Sequence, residues 1–301
     1  MGSVSNNVAQ PQPPYGIILG ALKSGHVIPF LGAGASLLQE PNGGPVLLSG
    51  SALSEYLAQK SNFPSADQHD RTDLAKVSSY YVDVSSRMLL RQDLRGKFVN
   101  PAYKSNQLHR LLAAVANQTT IVTTNYDTLL EDAFTEIGKP YDVVVYPADN
   151  DEYANGVMWW HHGNPEPEKL KANQIDPSDL GKTNLIYKMH GTVRTASDAW
   201  DSFVITEEDY ITFLSRINNA VPAAFRRYFS TRQFLFLGYG LRDWNLRVLL
   251  NRVTLSRDDV SWAIMKNPAS FEWTLWNRRN VTLYDLELAD FVARMEEEMN
   301  R

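Results

Sequence analysis

An asparagine and a histidine, each just past the end of a short apolar run, are the residues best suited to act on a bound molecule. Asn125 sits in "TTNYD" with Asp127 two residues on, and His190 closes "NLIYKMHG". A carboxamide can accept from and donate to a hydroxyl group or a water. An imidazole, with an ordinary pKa of about 6.5, can take a proton at neutral pH. A third feature is "PFLGAGAS", residues 29–36, where an apolar run enters a loop of glycines and alanines and ends on a hydroxyl. A strand, a glycine turn and a following helix leave backbone N–H groups that can face an anion. Gly32 and Gly34 allow close approach, and Ser36 adds a hydroxyl. The common dinucleotide pattern needs a small residue where Leu37 stands, and no Lys follows, so the loop is not a P-loop. A fourth cluster, in "FLGYGLRDWN", holds Gly238, Gly240, Asp243 and Asn245. Each feature has a plainer alternative. The glycine loop can be a tight turn, Asp127 and Asp243 can cap helices, and His190 can be a satisfied core histidine.

The elements that must position these groups are legible as apolar periodicity. Short apolar runs predict strands over 26–31, 119–125, 141–147, 184–191, 232–240 and 260–266. Helical spacing is read over 15–25, 51–61, 69–98, 105–116, 126–138, the stretch starting at Asp243, and from about 285 onward. Residues 148–184 resist assignment apart from "GVMWWHH". Strands alternating with amphipathic helices predict an α/β fold: a Rossmann-like, mostly parallel sheet with helices on both faces. The long helical block predicts a small helical module near 49–118. Residues 1–14, polar and proline-rich, read as a flexible tail before a domain over 15–301. Open sheets of this kind bind ligands at the carboxyl ends of their strands, where all four clusters fall.

Composition narrows the function classes. The 301 residues are 44% hydrophobic and 21% charged, with net charge −5, which does not suit coating a nucleic acid. There is no cysteine, so disulfides, thiol nucleophiles and cysteine zinc sites are absent from the sequence. No apolar run reaches the ~18 residues of a spanning helix. The amino-terminal segment lacks the apolar core of a signal peptide, and Asn6 breaks the myristoylation pattern. A cytoplasmic setting is expected. In "WWHH", His161 and His162 would point to opposite faces of a strand, so no metal site is expected there. The basic stretch 226–232 reads as a solvated helix face, with nucleic-acid contact at most indirect.

"FLGAGAS", "TTNYD", "YKMHG" and "FLFLGYGLRDWNL", in this order over roughly 26–265, resemble the SIR2-like (sirtuin-related) domain, especially the bacterial branch found in antiphage defence. The resemblance implies NAD+ as substrate and cleavage of its nicotinamide–ribose bond. Carried over by motif, Ala33, Gly34 and Ser36 would contact the pyrophosphate and adjoining ribose, with Gly32 in the same cofactor-binding loop. Asn125 would orient the nicotinamide ribose or a water, Asp127 would support that loop, and His190 would be the general base. Thr124 and Gly191 fall in the same binding motifs, and Gly238, Tyr239 and Asp243 lie where the family lines the adenosine side.

Protein-deacylating sirtuins carry a four-cysteine zinc module and an Asp-Phe-Arg element, and this chain has neither. The resemblance therefore implies NAD+ hydrolysis to ADP-ribose and nicotinamide, with no metal. The other classes are a non-catalytic nucleotide-sensing module and a sirtuin-type deacylase or ADP-ribosyltransferase. With the sequence ending about 36 residues after "VSWAIMK", no sensor domain is expected within it. The family context implies control through a homo-oligomer or a separate chain such as a HerA-like ATPase, and no membrane.

Overall fold

The computed structural model describes residues 12–40, 43–115, 118–150, 153, 155–194, 197–239 and 260–301. Most of the expected tail, the helix expected from Asp243, and residues Gly240, Asp243 and Asn245 lie outside the described residues.

Helix α1 (Tyr15–Lys23) leads into strand β1 (Val27–Leu31) and a short 3-10 turn (Ala33–Leu37). Helices α2 (Gly50–Lys60), α3 (Gln68–Arg71), α4 (Leu74–Val84), α5 (Arg87–Phe98) and α6 (Gln107–Ala114) precede β2 (Thr120–Thr123). Then come α7 (Leu129–Glu136), β3 (Tyr141–Val145), β4 (Gly156–Trp160), β5 (Glu168–Lys171) and β6 (Asn184–Lys188). A two-stranded pair, β7 (Gly191–Thr192) and β8 (Ser202–Phe203), is followed by α8 (Glu207–Ser215), α9 (Ile217–Ala220) and α10 (Ala223–Phe229). Strand β9 (Gln233–Leu237), β10 (Ser261–Met265), α11 (Ser270–Asn277), β11 (Val281–Asp285) and α12 (Leu288–Met299) complete the order.

Nine strands form one sheet in the order β11-β10-β9-β1-β2-β6-β3-β4-β5. All are parallel from β11 to β3; β4 and β5 add an antiparallel edge. The expected fold class is the one observed. Its central strands read as continuous apolar runs because both faces are covered. Within a run, alternate residues serve opposite layers. Ile28, Phe30, Phe234 and Phe236 pack with Phe213, Phe225, Phe229 and Trp276 on one face. Val27, Leu31, Leu235 and Leu237 pack with α1, α6, α7 and α12 side chains such as Leu22, Leu112, Phe134 and Phe291 on the other. Each such fully buried side chain contributes roughly 1.5–3 kcal/mol of transfer free energy.

The helical block divides. Helices α2, α4 and α5 build their own core from Leu53, Leu57, Val77, Tyr81, Leu90 and Leu94, closed by Val193, Phe203 and Ile205. Helix α6 joins the sheet layer instead, through Leu108, Leu111 and Leu112. Three arginines spaced four apart put one face of α5 against the sheet domain. Arg87 pairs with Asp149 (3.0 Å) and Asp209 (2.8 Å), Arg91 with Asp149 (2.8 Å), and Arg95 with Asp201 (2.8 Å). Spacing of four repeats once per helical turn, so one stripe supplies all these donors.

Two expectations are corrected. Residues 281–285 form the edge strand β11, which the sequence reading passes over, and the last helix begins only at Leu288. The segment after β1 is a five-residue 3-10 turn, not the start of an α-helix. Continuing as α-helix would use the Ala35 carbonyl, which instead accepts a 2.7 Å bond from Asn106 Nδ2. Among the described residues, no helix is long and apolar enough to cross a membrane.

Candidate active site

Strand register gathers the site. Leu31 is paired with Leu237 on one side and Thr123 on the other, and Thr123 with Lys188. These four residues form one row across β9, β1, β2 and β6. Two residues further along each strand stand Tyr239, Ala33, Asn125 and His190. The chain leaves β1 toward β2 and returns later as β9 on the other side, so the row lies at the switch point, at the strands' carboxyl ends.

At the centre is a hydrogen-bond network between the β1 and β2 loops. Asn125 Nδ2 donates to Gly32 O (3.0 Å) and to Ser36 Oγ (3.1 Å). Ser36 Oγ donates to Asp127 Oδ2 (2.9 Å), and Asp127 Oδ1 accepts from Leu129 N (3.1 Å) at the entrance to α7. Asp127 thus does what the plainer reading allowed, meeting a helix-terminal N–H, and also ties the two loops together. Both amide protons of Asn125 are engaged, which leaves Oδ1 to accept from a ligand. Below it, Asn125 N donates to Thr123 Oγ1 (3.0 Å), whose hydroxyl donates to Leu31 O (3.2 Å).

The glycines act through proximity. Gly32 N donates to Leu237 O (3.0 Å) and Gly34 N to Gly238 O (2.9 Å). Their N–H groups therefore bind the end of β9. A β-carbon on Gly34 would lie 2.9 Å from Gly238 Cα, and one on Gly32 would lie 2.6 Å from the Tyr239 ring. Gly238 itself has φ +68°, a left-handed conformation that glycine adopts freely. Tyr239 crosses over Gly32 to reach Thr124, with hydroxyls 2.9 Å apart, and packs edge-on against Phe30. Ala33 is exposed at the start of the turn.

His190 is 6% exposed. Its ring meets Tyr210 and Phe213 edge-on, at centroid distances of 5.7 and 5.0 Å. The next residue, Gly191, has φ +94°, and a β-carbon there would fall 2.0 Å from Ser202 O. Only glycine lets β7 pair with β8 at this point, which sets the course of the chain just after His190.

The sequence reading misses the support beneath this site. Lys188 is fully buried on β6, and its ammonium donates to Glu131 Oε1 (2.9 Å), Tyr126 O (3.2 Å) and Asp127 O. It grips the backbone immediately after Asn125 from below. The signal was there: a lysine in an otherwise apolar strand must be paired. Asn106, at the start of α6, holds the Ala35 carbonyl, and Ser105 Oγ holds Leu129 O (2.8 Å). Among the described residues, no group of three or more His, Cys, Asp or Glu is placed to hold a metal. In "WWHH", Trp159 and Trp160 face opposite layers. His161 lies between Asp142 and Glu168, each 3.1 Å away. Burial opposes its charge, but hydrogen bonds to Glu168 and Asp142 outweigh that and raise its pKa.

Fold and site together define an open, doubly wound α/β domain with its polar groups gathered at the switch point. The chain belongs to the SIR2-like domain family, whose model matches residues 119–284. Among similar proteins, a NAD(+) hydrolase ThsA of Enterococcus faecium is 27% identical over 249 residues, covering 82% of this chain and 42% of the relative. A NAD(+) hydrolase ThsA of Cytobacillus dafuensis is 27% identical over 187 residues, covering 62% and 31%. A defense-associated sirtuin 2 of Bacillus subtilis is 21% identical over 238 residues, covering 79% and 20%. The chain spans less than half the length of these relatives.

Proposed function

We propose that the chain cleaves NAD+ with water at the bond between nicotinamide and ribose, giving ADP-ribose and nicotinamide. The observation that carries this reading is the fixed orientation of Asn125, with Oδ1 left to accept, in one row with His190 at the switch point. The names of the NAD(+) hydrolase relatives support it.

As the bond from ribose C1′ to the ring nitrogen breaks, its electron pair moves to that nitrogen and nicotinamide leaves neutral. The sugar gains positive character, and a water oxygen bonds to C1′. The water's proton passes to His190 and on to solvent. Asn125 Oδ1 accepts from a ribose hydroxyl or from the attacking water, which holds the reactants in place. Asp127 and Ser36 act through Asn125. Gly32, Ala33, Gly34 and Ser36 serve the pyrophosphate side, Thr124 and Gly191 the ribose. Gly238, Tyr239 and Asp243 serve the adenosine side.

Residues 15–301 are proposed as one catalytic domain, acting in the cytoplasm as a homo-oligomer in antiphage defence, with a HerA-like ATPase as a candidate partner. Depletion of NAD+ in infected cells would be the outcome. Chromatography of NAD+ incubated with the purified chain, across its oligomeric states, tests the chemistry. Free ADP-ribose and nicotinamide are expected in equal amounts, with Asn125→Ala and His190→Ala slower by about 100-fold or more. Intact NAD+, ADP-ribose attached to protein, or full activity in Asn125→Ala would sink the reading.

A further inference from the structure

Tyr126 follows Asn125 directly, and its ring packs against the core of the helical module. There it meets Phe98, at the end of α5, and Phe203, on β8, edge-on at centroid distances of 5.4 and 5.1 Å. Packing of this kind needs an aromatic ring and no more. The hydroxyl makes a different connection. It donates to Val204 O at 2.6 Å, across 78 residues of sequence.

Val204 is also bonded to the histidine loop. Its N–H donates to His190 O (2.9 Å), so its two backbone polar groups meet His190 and Tyr126. The Tyr126 carbonyl, besides meeting Lys188, accepts from Val193 N (2.9 Å), just past β7. Strands β7 and β8 pair Gly191 with Phe203 and Thr192 with Ser202. Tyr126 therefore grips this pair on both strands, through its carbonyl at the end of β7 and its hydroxyl at the end of β8. A shift of the pair moves His190, and a shift of Tyr126 moves Asn125.

A phenylalanine at this position would keep both ring contacts and lose only the tie to Val204. The plainer account is a tyrosine hydroxyl that merely satisfies a carbonyl in the module core. It does not explain why the carbonyl belongs to the residue that holds His190. We propose that Tyr126 is a positioning residue, whose hydroxyl acts through Val204 to fix the His190 loop against Asn125. This role in turnover rests on the proposed cleavage of NAD+; the tie between the two loops does not.

Tyr126→Phe tests this, with Tyr81→Phe as the matched control. Tyr81 lies in the same module core, and its hydroxyl donates to Asp93 Oδ2 on α5, also at 2.6 Å. Each variant keeps its ring and loses one hydroxyl bond, so both should fold and lose similar stability. The chain has six histidines, and in the full chain labelled with 15N-histidine, His190→Gln identifies the ring signals of His190. Tyr126→Phe is expected to move those signals. It should lower kcat by about tenfold while KM stays within about twofold, because a misplaced reacting group costs rate more than binding. Tyr81→Phe should leave the signals, kcat and KM in place. Unmoved His190 signals or an unchanged kcat in Tyr126→Phe, or the same changes in Tyr81→Phe, would overturn the proposal. A wild type inert toward NAD+ would remove the cleavage reading alone, and the His190 signals would still decide the tie.

Discussion

Ser36 and Asp127, 91 residues apart in sequence, are joined by a 2.9 Å hydrogen bond from the Ser36 hydroxyl to Asp127 Oδ2. The same hydroxyl accepts from Asn125 Nδ2. One serine therefore connects the glycine loop, the β2 loop and the residue proposed to meet the ribose.

Ser36→Ala removes one acceptor from Asn125 and the donor to Asp127 together. With Asn125 no longer held on that side, NAD+ turnover is expected to fall by about 100-fold. Stability should fall by only about 1–3 kcal/mol, because Asp127 keeps its bond to Leu129 N. Urea unfolding beside initial rates separates the two effects. An unchanged rate in a variant that folds normally would show that Asn125 does not depend on Ser36.

Lys188→Met leaves Glu131, whose side chain is 6% exposed, without its cation. Breaking a buried pair from one side costs about 3–5 kcal/mol. Adding Glu131→Leu removes the stranded carboxylate, so the double variant should recover much of the stability. It should not recover turnover, because the carbonyls of Tyr126 and Asp127 stay ungripped. Melting temperatures and rates for the three proteins make the comparison.

Gly238→Ala places a β-carbon 2.1 Å from Ala35 N at φ +68°. Neither backbone can retreat without breaking the bond from Gly34 N to Gly238 O. A loss of about 2 kcal/mol or more is expected, with weakened NAD+ binding. Gly96→Ala, on α5 with nothing within 4 Å of the added carbon, is the control. It should be neutral or stabilising by up to about 1 kcal/mol. Calorimetric melting of the two variants tests the contrast.

Acid should destabilise the fold through His109. Burial lowers its pKa from 6.5 to about 4. Its Nδ1 accepts from Asn106 N (3.3 Å), an arrangement that needs this nitrogen unprotonated. The unfolded chain takes up this proton at higher pH than the folded one. The contribution is therefore intact above about pH 6.5 and lost as pH falls toward 4, in all about 3 kcal/mol. Urea midpoints measured across that window should fall more steeply for the wild type than for His109→Gln. Parallel slopes would count against it.

Much of this was legible in the chain itself. Runs such as "HVIPFL" and "QFLFL" alternate with amphipathic stretches, and that local periodicity determines an α/β domain with a buried parallel sheet. Polar residues after apolar runs, in "TTNYD" and "KMHG", located Asn125, Asp127 and His190 at strand ends. The stretch 148–184 was not legible, because the edge strand β5 is largely exposed and lacks an apolar face. Tertiary structure alone decided which ends lie side by side. The sheet order places β1 between β9 and β2, and that choice turns Gly32 and Gly34 toward Gly238 and Tyr239. It also decided that Lys188 meets Glu131 and that Arg87, Arg91 and Arg95 meet Asp149, Asp201 and Asp209. Periodicity records which face of an element is buried, whereas partners tens of residues apart are chosen only when register and layer packing bring their backbones together.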